Sequence, residues 1–131
     1  MSCTPTYDPA RQILSIRVDG SVSPELLDAT LSTITTSAEY PPNADTIWDF
    51  RTADFSIVGA DQMRRMLMVR KKHVAREGSL MALVVADDVA FGMSRMFQFL
   101  AEDVVTSTLR VTRSLADAEQ WIVESRPSRT P

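Results

Sequence analysis

The chain has 131 residues, a formal net charge of −3, 44% hydrophobic and 24% charged residues, which is the composition of one ordinary globular domain. A chain of this length can bury enough surface to fold without a disulfide or a metal, and its single cysteine, Cys3, excludes an internal disulfide and fits a reducing compartment. The negative charge argues against a surface given over to nucleic acid, and no apolar run approaches the roughly 20 residues of a membrane span.

"TPTYDPARQILSIRVDG" predicts a hairpin: Asp8-Pro9 is a turn signal, and Leu14, Ile16 and Val18 alternate as in a strand. Ser23-Pro24-Glu25 opens a helix, with a capping hydroxyl, a proline at the first helical position and an acid at the positive helix end. Leu27, Leu31, Ile34 and Ala38 follow at helical spacing until Pro41-Pro42 ends it. "TIWDF" (46–50) reads as a buried strand and "RTADFSIVG" as a connection. A second helix is expected over Ala60–Arg76, with Ala60, Met63, Leu67 and Val74 on its core side and Gly78 as its stop. "LMALVVA" (80–86) is apolar on both sides, as in a central parallel strand. Asp87 caps a third helix, whose Val89, Met93, Met96, Phe97, Leu100 and Val104 form the arc expected to face the sheet. "STLRVT" is the last strand. Ser114, with Asp117 at the reciprocal capping-box position, starts a final helix with Leu115, Ala118 and Ile122 on one face.

Strands alternating with helices after a hairpin imply an α/β fold with a mixed, mostly parallel sheet of four or five strands and about four helices. Residues 1–125 are expected to form one domain and 126–131 a disordered polar tail. "MSCTPTYDPA" lacks the basic flank and apolar run of a signal peptide, so a cytoplasmic protein is expected.

Four segments carry a family resemblance: "YDPARQILSIRVDG", "WDFR", "VVADDVAFGMSRMFQFLAE" and "SLADAEQWI". Together they make the chain resemble, from about Thr6 to Ile122, the SpoIIAA-like family of small bacterial proteins, whose fold is similar to STAS domains. The third segment is the most specific. The resemblance implies a STAS-like α/β fold and a regulatory module that works through protein contacts. STAS domains of the anti-sigma-factor-antagonist type bind a kinase and are controlled by phosphorylation of a serine nine positions after the strand's aspartate. Counted from Asp49 that position is Val58, and neither Ser56 nor Thr52 reproduces the pattern. The wider group also resembles the lipid-carrying CRAL-TRIO domains, and fold alone does not give function.

Ligands of parallel α/β sheets bind beyond the carboxyl ends of the strands. There the sequence gathers Asp49, Arg51, Asp54 and Ser56 with Asp87 and Asp88 as a candidate polar site. As carboxylates they could hold a cation or shift one another's pKa. As ordinary structure, Asp87 and Asp88 cap a helix and Asp49 pairs with Arg51. No glycine-rich phosphate loop, nucleophile elbow or zinc spacing is present, so no catalytic residue, metal or cofactor is assigned. His73, the one histidine, falls in "RKKHVAR" and reads as a solvated surface residue. Cys3 lies near a chain end expected to be flexible.

Two surfaces remain. The second helix carries Arg64, Arg65, Arg70, Lys71, Lys72 and Arg76, with Met68 inside the basic arc; such a face meets an acidic partner or is merely solvated. On the third helix Phe91, Arg95 and Phe99 form a stripe away from the predicted core arc. Another part of the chain, a second copy or other protein, or a small apolar ligand could cover it. The expected function is a non-enzymatic protein-interaction module, as a homodimer, with a carrier or sensor of a small apolar or lipid-like ligand as the alternative.

Overall fold

The computed structural model describes residues 2–41, 44–73, 79–101 and 108–126. β1 (Ser2–Asp8) and β2 (Ile13–Ser21) form the expected antiparallel hairpin. Asp8 closes the turn by accepting the Ala10 N–H at 3.0 Å, and Gln12 takes the left-handed conformation there (φ 57°). α1 (Pro24–Thr36) is capped by Ser23, whose Oγ accepts the Leu26 N–H. β3 (Asp45–Asp54), α2 (Ala60–Lys72), β4 (Leu80–Val84), α3 (Asp88–Ala101), β5 (Thr108–Thr112) and α4 (Leu115–Ser125) follow. Both predicted caps of the last two helices form: Asp87 accepts the Ala90 N–H at 2.8 Å, and Ser114 the Asp117 N–H at 3.1 Å.

The five strands lie in sequence order, with β2 to β5 parallel. Every crossover steps to the next strand in the same direction. Crossovers of one hand must then lay their helices on one face. α1, α2 and α3 share that face and bury one large cluster there, including Leu14, Ile16, Leu31, Phe50, Met81 and Val111. Among the described residues α4 alone covers the other face, with Ala118 and Ile122 against Ile13, Ile47, Leu80, Ala82 and Val84. In β4 the alternation is complete: Met81 and Leu83 point one way, Leu80, Ala82 and Val84 the other.

Several elements differ from the sequence reading. β3 runs on to Asp54, because β2 stays paired with it through Gly20 and Ser21. The first four residues of the expected connection are therefore strand. Ala38 lies beyond α1 and is exposed. On α2 the core side is Met63, Met66 and Arg70, while Ala60 is exposed and Leu67 half-buried. Val74, Arg76 and Gly78 lie outside the described residues.

α3 departs furthest. Its sheet-facing line is Ala90, Ser94 and Ala101, with Phe97 packed beside it; Val89, Met96 and Leu100 of the predicted arc are exposed. The fully buried positions of the helix are thus small ones, and Phe91, Met93 and Phe97 pack only partly against the core. Val104 lies outside the described residues.

Cys3 is part of β1, opposite Val18 and half-buried, not in a flexible end. Burial pushes its thiol pKa up despite a hydrogen bond with Thr30, which disfavours the nucleophilic thiolate. Arg126, the first residue of the expected tail, is held to Asp45 at 2.8 Å. Residues 127–131 lie outside the described residues. No helix among the described residues is long and apolar enough to cross a membrane.

Candidate functional site

Each acidic residue that sequence gathered at the strand ends has a partner of its own. Asp49 alternates with Trp48 and Phe50, which point to the three-helix face, so its carboxylate emerges on the opposite face of the sheet. It accepts two bonds from Arg51, Nε to Oδ1 and Nη2 to Oδ2, both at 2.9 Å. That bidentate pairing holds the Asp49 pKa below the ordinary carboxylate range. Asp54 turns back to accept the Ser56 N–H at 2.8 Å, which likewise lowers its pKa. Asp87 is occupied as the cap of α3, and Asp88 accepts from Arg113 at 2.7 Å. Thr52 donates to Asp19, which Arg17 also approaches at 3.2 Å. Among the described residues no three such side chains gather as metal ligands.

The basic face of α2 is largely answered within the fold. Arg64 pairs with Asp61 on its own helix, Arg65 with Glu25 of α1, and Lys72 with Asp28 of α1 at 3.1 Å. Lys71 is exposed and Met68 is 63% exposed, beside a shallow groove between α1 and α2. The expected solvated His73 is instead the C-terminal cap of α2, its side chain 9% exposed and its Nε2 2.7 Å from Asp28 Oδ1. The hydrogen bonds from His73 and then Lys72 keep the Asp28 carboxyl below its ordinary range.

A carboxyl group whose pKa is lower folded than unfolded stabilises the fold above its unfolded pKa, near 4, and loses that contribution as pH falls through the folded value. The urea midpoint should therefore fall between pH 5 and about pH 2. In Asp28→Asn/Asp49→Asn that fall should be shallower, and an unchanged slope would contradict the assignment.

α3 holds the surface that remains open. Phe91, predicted on the outer side, is half-buried against the core, and the Arg113 guanidinium lies 4.6 Å above its ring. The fold thus covers one of the two phenylalanines. Phe99 is 73% exposed, and with Val89 (67%), Met96 (56%) and Leu100 it makes an apolar outer face. Their positions, at about 100° per residue, span one side of the helix opposite Ala90, Ser94 and Ala101. Gly92 lies within this face, and a methyl group placed on it would meet nothing within 4 Å. Asp88 and Arg95, two turns apart, are both exposed along one flank.

No family model matches the chain, and no curated protein matches its sequence. Among solved structures it is similar to an uncharacterized protein of the DUF3478 family from Shewanella loihica PV-4, which has a SpoIIAA-like fold. The two are 12% identical, with 92% of each chain covered and a TM-score of 0.63. No enzymatic family is indicated by that likeness. At this identity the match carries architecture, and the hairpin, the parallel strands and the four helices agree with it: the chain has the SpoIIAA-like fold that its sequence motifs resemble.

Proposed function

We propose that the protein is a non-enzymatic interaction module that docks through the outer face of α3, and that the occupant is a second copy of the same chain. The supporting observation is the exposure of Val89, Met96, Phe99 and Leu100 together on one helical face. Covering each large apolar side chain is worth about 1.5–3 kcal/mol, enough to drive association when several are covered together. Two further features favour a copy over an unrelated partner. A two-fold contact is self-complementary, and the same apolar face of α3 is available on both chains, so antiparallel α3 helices can cover one another. Gly92 leaves bare backbone in the middle of the face, where the two helices approach most closely.

The test is light scattering across micromolar to millimolar protein. A dimer is expected, and Phe99→Glu should weaken it at least about tenfold by placing a charge in the apolar centre. A monomeric wild type at millimolar concentration, or a Phe99→Glu dimer of unchanged affinity, would refute the proposal. Unchanged circular dichroism keeps a folding defect apart from an interface defect.

A further inference from the structure

The inner side of α3 borders a second, independent feature. Between the sheet and the helices lies an apolar cavity of about 70 Å³ for water-sized occupants, partly open to solvent. Trp48 of β3, Met81 of β4, Met63 and Met66 of α2, and Met93 of α3 stand in its wall, with Arg70 and Ser94 as its polar members. Arg70 has interactions of its own within the fold.

Trp48 is the informative residue. It is 4% exposed, its ring stacks on Phe50 at 6.2 Å, and its Nε1–H meets no hydrogen-bond acceptor among the described residues. A buried indole N–H ordinarily finds a partner, because leaving it unmade forfeits its hydration. Here the donor belongs to a side chain that lines a partly open apolar cavity. The nitrogen is closed to water-sized atoms, so an acceptor in the cavity reaches it only once the wall yields, and it then breaks no existing bond.

We infer that the cavity is a binding site for a small, neutral, largely apolar molecule carrying one hydrogen-bond acceptor, which takes the Trp48 N–H. Apolar walls supply the affinity, and the single donor orients the ligand. The cavity is smaller than the roughly 150 Å³ that suffices for benzene. Four methionines in its wall allow it to widen, since their unbranched side chains repack readily. Nothing in this site depends on the outer face of α3.

Acetophenone and ethylbenzene test it, because they match in shape and only the first has an acceptor. In two-dimensional nitrogen–proton spectra the Trp48 indole signal, assigned by its survival in Trp121→Phe, should move downfield on titration with acetophenone. Acetophenone should bind about tenfold more tightly than ethylbenzene, the contribution of one buried hydrogen bond. Trp48→Phe should lose that preference and bind acetophenone no more tightly than ethylbenzene. Met93→Trp, which fills the cavity from α3 and leaves β3 intact, should bind neither. No movement of the Trp48 signal with either compound would overturn the inference, as would equal affinities in the wild type or a preference that persists in Trp48→Phe.

Discussion

Asp45→Ala should destabilise the fold by about 3–5 kcal/mol, the cost of stripping one partner from a buried charged pair. Asp45 is 3% exposed at the first position of β3. Its Oδ1 accepts the Leu80 N–H of β4 at 2.9 Å, and its Oδ2 accepts Arg126 Nε at 2.8 Å. Arg126 in turn donates to the Gln12 carbonyl at 3.2 Å. One carboxylate thus joins the start of two strands, the end of α4 and the hairpin turn. Alanine strands the Leu80 N–H and leaves a guanidinium that is mostly covered without its counter-charge. Asp45→Asn keeps an acceptor for Leu80 and should cost clearly less. Urea unfolding of the three proteins decides: a loss below about 1 kcal/mol for Asp45→Ala would show that the network contributes little.

Ala90→Leu should cost about 1–3 kcal/mol, because Ala90 is 5% exposed under α3 and added methylenes must push the helix off the sheet. Val89→Ser, one residue away, should stay within about 0.5 kcal/mol, since Val89 points outward. The contrast tests which face of α3 is inside. If the conventional hydrophobic arc were buried, Val89→Ser would be the damaging change and Ala90→Leu the harmless one. Chemical denaturation of both variants at low protein concentration, where association does not contribute, gives the answer.

That inversion shows where sequence reading reaches its limit. Helix starts were legible because a cap is local chemistry: Ser23, Asp87 and Ser114 each meet an amide three residues on. Strand alternation and the core side of α4 were legible because apolar bulk and burial coincide there. On α3 they do not coincide. Periodicity weighs Val89, Met96 and Leu100 above Ala90 and Ser94, whereas close packing on a sheet selects the small residues.

The charged side chains were less legible. The bond between His73 and Asp28 spans 45 positions, and nothing in "RKKHVAR" signals it. Asp49 and Asp54 are close in sequence, yet each is occupied by its own neighbour, Arg51 or Ser56. Trp48 could be placed in the core from its strand, but an indole N–H left without an acceptor is visible only in three dimensions.

The sheet is wound in one direction, and three of its helices lie on one side. On a ribosome each strand and helix can add beside the last as it emerges, because every pairing is with the preceding strand. The other side of the sheet has no such provision. Ile13, Ile47, Leu80, Ala82 and Val84 wait uncovered until α4, the last helix, has been synthesised. A nascent chain halted before Leu115 therefore carries all five strands with one oily face bare. Chaperone capture and proteolytic surveillance should be most active against that truncated product, and they should end once α4 has docked and Arg126 has reached Asp45.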